Sequence, residues 1–213
     1  MDTAKSLRNR KLGAKVVRAL EERFFEAWYF DEPSEALDKI LSLIPSEHVV
    51  SWGGSLTLGE LGVTERVVRE GYKVIDRDKA QDRQERFELM RQALLCDTYL
   101  TSCNAISEDG QLVNIDGFGN RVAAMTFGPR QVIVIAGMNK VAKTVDDALV
   151  RARTIAAPAN TQRFPDNKAP CNETGSCANC KSPDSICSFF VTTRMCKPAG
   201  RIKVILVGQD LGL

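Results

Sequence analysis

The run Gln131-Val132-Ile133-Val134-Ile135-Ala136 is β-branched or small from its second residue on and shows no polar alternation. A strand of that kind is covered on both faces, the condition found inside a parallel sheet flanked by helices. Shorter runs of similar character lie on either side: His48-Val49-Val50-Ser51-Trp52, Tyr72-Lys73-Val74-Ile75 and Arg201-Ile202-Lys203-Val204-Ile205-Leu206-Val207. Helical patterns separate them. Pro33-Ser34 opens a helix that reaches about Leu43 and is ended by Pro45, and Leu58, Leu61, Val67 and Val68 mark another. A charged helix covers about Gln81 to Leu95, and Thr144-Val145-Asp146-Asp147 caps a last one that runs to about Ala157. Strands alternating with helices predict a three-layer α/β/α sandwich with a mainly parallel sheet.

Outside that frame, Leu7, Leu12, Val16, Leu20, Phe24 and Ala27 recur at helical spacing and predict a helix over residues 3 to about 28. With the Pro33 helix it would form an N-terminal helical segment, residues 1–45, packed on an α/β domain of residues 46–213. In the middle, Asp97 to Ser102 and Gln111 to Asp116 are strand-like and flank the turn Ser107-Glu108-Asp109-Gly110, so a hairpin is expected. Arg121 to Phe127 is expected to be a further strand.

Hydrophobic residues make up 44% of the 213 and charged residues 26%, which suits an ordinary globular protein with one substantial core. The net charge of +2, spread without aromatic-interleaved basic runs, argues against a nucleic-acid partner. The polar N-terminus lacks a signal-peptide core, and no stretch approaches the roughly 18 apolar residues of a membrane helix. A cytoplasmic location is the expectation.

Four of seven cysteines, Cys171, Cys177, Cys180 and Cys187, follow the pattern C-x5-C-x2-C-x6-C in a loop of residues 165–198 rich in Gly, Ser, Asn and Pro. In a reducing compartment such clusters bind metal more often than they form bridges, and thiolates select zinc or iron–sulfur centres. A pair of disulfides is the alternative reading. Cys96 and Cys103 read as inert packing residues. Cys196 lies just outside the cluster, where it could replace a ligand or stay free.

Two further segments carry candidate chemistry. Gly53-Gly54-Ser55-Leu56-Thr57 follows a strand and opens a helix, an arrangement that turns backbone amides and two hydroxyls toward an anion, although Ser55 also suits a helix cap. It is neither a Walker loop nor a dinucleotide fingerprint. Asn104-Ala105-Ile106-Ser107-Glu108-Asp109-Gly110 precedes Asn114, Asp116 and Gly117-Phe118-Gly119-Asn120-Arg121. There Glu108 or Asp109 could serve as base or nucleophile, Arg121 could clamp a carboxylate or phosphate, and a plain hairpin turn explains the acidic pair equally well. His48 is the only histidine and reads as structural, which makes a Ser-His or Cys-His triad unsuited to this chain.

Ser51-Trp52-Gly53-Gly54-Ser55-Leu56-Thr57, Asn104 through Asn114, Gly117-Phe118-Gly119-Asn120-Arg121-Val122-Ala123, and Phe127-Gly128-Pro129 ahead of Gly137-Met138-Asn139-Lys140 together resemble the LUD (lactate utilisation) domain. The likeness spans nearly the whole chain and is greatest to members with a cysteine cluster near the C-terminus. It implies a fold similar to the ribose-5-phosphate isomerase, glucosamine-6-phosphate deaminase and CoA-transferase superfamily. There the glycine loop, here Gly53, Gly54, Ser55 and Thr57, contributes to the substrate pocket, and an acidic turn residue is often catalytic, with Glu108 nearest and Asp109 second. The resemblance further implies a small anionic substrate held also by Asn104, Asn120 and Arg121. It weights the four-cysteine site toward a 4Fe–4S cluster, with zinc as the alternative, because only Cys177 and Cys180 form the Cys-x-x-Cys pair that a zinc ribbon uses twice. Lactate-utilisation members oxidise L-lactate with iron–sulfur partners, so an electron-transfer or accessory component is the expected role. An enzyme on a phosphorylated or CoA-linked substrate, its metal only structural, is the alternative, and a homo-oligomer is compatible with either.

Overall fold

The computed structural model describes residues 3–213. Ten strands occur among them: β1 (Glu26–Phe30), β2 (Val49–Trp52), β3 (Lys73–Ile75), β4 (Thr98–Thr101), β5 (Ala105–Ser107), β6 (Leu112–Asp116), β7 (Gln131–Gly137), β8 (Val141–Ala142), β9 (Phe189–Thr193) and β10 (Ile202–Val207). Six of them form a wholly parallel sheet in the order β1-β10-β7-β4-β2-β3. The other four form a small mixed sheet, β8-β5-β6-β9. The helices are α1 (Ala4–Glu21), α2 (Pro33–Ser42), α3 (Leu56–Glu60), α4 (Val63–Arg69), α5 (Arg83–Gln92), α6 (Asn120–Thr126), α7 (Val145–Arg151), α8 (Ala157–Thr161) and α9 (Pro170–Thr174).

The run that opened the sequence analysis is the interior strand β7, and its side chains divide by parity. Val132, Val134 and Ala136 enter a core shared with Val16 and Leu20 of α1 and with Ala124 and Met125 of α6. Ile133 and Ile135 enter a second core with Ala36 and Ile40 of α2, Leu58 of α3, and Val63 and Val67 of α4. Alternation along a strand sends neighbours to opposite faces, so two packed faces on one strand amount to a three-layer α/β sandwich.

Several elements depart from the sequence expectation. The first helix stops at Glu21, because Phe24 takes a left-handed conformation with φ 66° and turns the chain back. Residues Glu26–Phe30, rich in aromatics suited to a pleated surface, become an edge strand paired with β10. The expected helix across Leu58 to Val68 breaks at Gly62, where φ is 69°, into α3 and α4. Asp97 to Ser102 gives a strand of the main sheet, and the hairpin is made instead by β5 and β6. Arg121 to Phe127 is helix rather than strand. The Asp116 carboxylate, five residues upstream, accepts the Arg121 and Val122 backbone N–H groups at 3.0 and 3.1 Å and starts α6. Thr144 caps α7 in a full capping box with Asp147, but the helix passes through a π-helical turn, Ala152–Ala156, before α8.

α1 lies against β1 through a point of close approach. A Cβ at Gly13 would sit 2.1 Å from Cδ2 of Tyr29. Gly13→Ala is expected to lower stability by about 1–3 kcal/mol by forcing helix and strand apart, read as a lower midpoint in chemical denaturation.

Candidate functional site

In open α/β sheets, ligands settle beyond the carboxyl ends of the strands. Here a cavity of ≈ 350 Å³ occupies that place, walled by Gly54 and Ser55 after β2, Ser102 and Cys103 after β4, and Lys140 after β7. Of the residues expected to bind substrate, Gly54, Ser55, Thr57, Asn104, Asn120 and Arg121 all line it. Gly53 lies behind the wall, with Arg121 Cδ and the Tyr99 hydroxyl 3.4 and 3.3 Å from where a Cβ would be. The lining is cationic: Arg77, Arg86, Arg121, Arg163 and Lys140 stand against Asp78 and Asp116.

Those cations differ in what they can offer. Arg121 Nη1 donates to the Ser102 carbonyl (3.0 Å) and the Asn114 Oδ1 (2.5 Å), while Nη2 donates to Asn104 Oδ1 (2.9 Å) and the Ile115 carbonyl (2.7 Å). Its Nε faces Asp116 at 3.7 Å. Each guanidinium nitrogen is therefore directed at the protein, which makes Arg121 a tie rather than the anion clamp its sequence position suggested. Arg86 is held by Asp78 at 2.8 Å, and Arg163 by the Gly54 carbonyl and Asn160 at 3.1 Å each.

Arg77 is less engaged. Its Nη1 reaches Met90 Sδ at 3.4 Å, and its buried Nε has no hydrogen-bond partner, the nearest carboxylate oxygen being Asp78 Oδ1 at 3.9 Å. The guanidinium lies across Gly54, where a Cβ would be 2.2 Å from Nη2 and would push the end of the Arg77 side chain aside.

Lys140, on the short 3₁₀ turn Met138–Lys140, is the residue that sequence reasoning missed. It is only 3% exposed, and its Nζ donates to the hydroxyls of Thr57 (2.8 Å) and Ser102 (2.9 Å). No carboxylate pairs with it among the described residues. Burial pulls its pKa down to about 8, with a smaller downward push from Arg151 and Arg121 opposed by Cys103 and Glu60. The signal available in sequence was a lysine three residues beyond the end of the most buried strand. Cys103, read as packing, is buried as expected but also borders this cavity, and burial raises its thiol pKa.

Glu108 and Asp109 do not reach the cavity. Glu108 is bonded to Lys15 (2.5 Å) and Lys143 (2.9 Å), which hold its carboxyl below the usual range. Asp109 is bonded to Arg23 at 2.6 Å. Lys15 belongs to α1 and Arg23 follows it, so the acidic turn fastens the hairpin to the N-terminal helix.

The cysteine loop lies on the cavity rim. Ile186 lines the cavity, and its backbone passes 3.5 Å from where a Gly117 Cβ would be. Cys171 is buried in α9, and Cys177, Cys180 and Cys187 are half-buried. The Cys187 thiol is pushed up to about 11, first by burial and then by Cys171, Cys177 and Cys180 in turn. Among the described residues no three His, Cys, Asp or Glu side chains stand close enough to enclose a single metal ion. An all-sulfur donor set on a loop with a left-handed Gly175 (φ 68°) suits a thiolate-bound centre. Cys196 stands apart: its Sγ donates to the Pro198 carbonyl at 3.1 Å and accepts from Ile202 N–H at 3.2 Å, within the core under α1. Three buried side-chain atoms lack a partner among the described residues: Arg77 Nε, Asn114 Nδ2 and Asn172 Oδ1.

The architecture is thus that of an α/β protein with a cationic pocket at the carboxyl ends of a parallel sheet and a cysteine loop on its rim. The family model described as the LUD domain matches residues 13–207. The chain belongs to the LUD-domain family, which is associated with lactate-utilisation proteins. Among solved structures it is similar to the crystal structure of a DUF162 family protein from Deinococcus radiodurans, with 12% sequence identity and a TM-score of 0.53 over 93% of this chain and 98% of that one. That likeness supports the fold. No curated protein matches the chain.

Substituting Arg121 with Ala would take a charged donor from four acceptors, of which Asn104 Oδ1 keeps the Ile115 N–H and the Ser102 carbonyl keeps the Thr101 hydroxyl, and should cost about 3 kcal/mol, seen in denaturant unfolding. Lys140→Met should act in the opposite sense. At about pH 7 the folded chain carries a buried ammonium, and its removal should raise stability by about 2 kcal/mol. Because the folded pKa lies below the unfolded one, the wild type sheds this cost as pH rises from about 8 toward 10.5. The two melting curves should therefore converge at high pH.

Proposed function

We propose that this LUD-domain protein takes part in oxidising a lactate-like organic acid, as a cytoplasmic iron–sulfur component that works with a redox partner. The observation that carries the reading is the shared wall: Ile186, next to Cys187, lines the same cavity as Lys140 and Arg77. Cys171, Cys177, Cys180 and Cys187 would hold the 4Fe–4S cluster, which when bound supplies one-electron transfer. In the cavity, the Lys140 amine and the Arg77 guanidinium supply positive charge for a small carboxylate, the Thr57 and Ser102 hydroxyls orient the amine, and Arg121 keeps the wall rigid. Among the described residues no helix is long and apolar enough to cross a membrane.

A second reading, an enzyme acting on a phosphorylated or CoA-linked substrate with a structural 4Fe–4S or zinc site, is favoured by the arginines at the cavity, since guanidinium groups match phosphate geometry. Anaerobic purification with metal analysis, visible absorption and spin-resonance spectra separates the two as far as the metal is concerned. The first reading expects about four irons and four sulfides per chain, a brown colour lost in Cys180→Ser, and full colour in Cys196→Ser. A colourless, zinc-loaded chain would overturn the electron-transfer role.

A further inference from the structure

Lys140 is held in a way that leaves one valence of its nitrogen uncommitted. The Thr57 hydroxyl has the Leu211 carbonyl as its own acceptor at 3.5 Å, and the Ser102 hydroxyl has the Cys103 carbonyl at 3.3 Å. With their hydrogens directed at those carbonyls, both hydroxyl oxygens accept from Lys140. Two N–H bonds are thereby fixed and point into the protein. Among the described residues no acceptor meets a third, and no carboxylate balances the charge. The charged and titratable groups around it are Arg151, Arg121, Cys103 and Glu60, and the Glu60 carboxylate already accepts the Gly212 N–H at 2.6 Å. A structural lysine of this burial would be expected to have a counter-ion. This one has two hydroxyls and an open cavity.

We infer that Lys140 is the reacting amine of the cavity and that the ligand class is a 2-oxo acid, whose carbonyl carbon it captures as an imine. The inference rests on reading the cavity as an organic-acid site. The Nζ lone pair adds to the carbonyl carbon, and the carbonyl oxygen takes a proton to give a carbinolamine. Nitrogen then releases a proton, the hydroxyl takes one and departs as water, and the carbon–nitrogen double bond forms. No electrons are gained or lost overall, so no oxidant or reductant is required. Thr57 and Ser102, each already bonded to Nζ, are placed to pass those protons, and Arg77, on the same cavity wall, supplies a guanidinium for the carboxylate. The lowered pKa agrees with this geometry: near neutral pH it gives on the order of a hundredfold more neutral amine than an ordinary lysine has.

The test treats the full chain with pyruvate and cyanoborohydride near neutral pH, which reduces an imine to a stable N-carboxyethyl-lysine. Peptide mapping of the wild type should find the label on Lys140, on the order of a hundredfold above any exposed lysine, and Lys140→Arg should lose it. Mapping in the wild type makes the result independent of whether any variant folds. In parallel, pyruvate without reductant should raise the melting temperature. If it does so but Lys140 stays unlabelled, or the label spreads evenly over surface lysines, the imine is overturned while the organic-acid pocket stands. If neither a melting shift nor a Lys140 adduct appears, both are overturned.

Discussion

The Arg121 guanidinium ties the two sheets of this protein together. Arg121 lies at the start of α6, yet its donors reach the carbonyl after β4, the side chain before β5, and both a side chain and a carbonyl on β6. Asp116 closes the arrangement from below by capping α6 and facing the Arg121 Nε. The cavity exists because these segments are held apart at fixed spacing. Charge-assisted hydrogen bonds in a partly buried setting hold such a geometry far better than surface ion pairs do.

What could be read from the sequence follows the range of the interactions concerned. Strand β7 was legible because burial on both faces leaves a local signature, an unbroken β-branched run. The Thr144 cap was legible for the same reason, its partner Asp147 being three residues away. Strand β1 was not, because its apolar residues also fit a helical period and only the left-handed Phe24 divides them. Helix α6 was misread as a strand because its cap comes from Asp116, outside the helix pattern. Most of the glycine-loop and Asn-Arg pocket was legible as a place, but Arg121 was misjudged in role, since its acceptors are set by the fold. Lys140 was passed over because its partners lie 83 and 38 residues away. Glu108 failed in the other direction: its chemistry looked catalytic, and the fold gives it to two lysines.

The cysteine loop and the pocket belong to one structure. The strand that leaves the loop, β9, pairs with β6, and β6 carries Asn114 and Ile115, on which Arg121 depends. Cys196, so close to the cluster in sequence, is separated from it by that strand and belongs to the core. A ligand in the cavity and a centre held by the loop would therefore share a common wall through Ile186 and a common support through β6.

The three partnerless buried atoms acquire a meaning from where they fall. Arg77 Nε is at the cavity, Asn114 Nδ2 sits on the side chain that supports Arg121, and Asn172 Oδ1 follows the first cysteine of the loop. In the language of energy landscapes, the chain is minimally frustrated through both cores and frustrated at these places. Folding energy has been forgone at the cavity, at the support of its wall and at the cysteine loop, while both cores are satisfied.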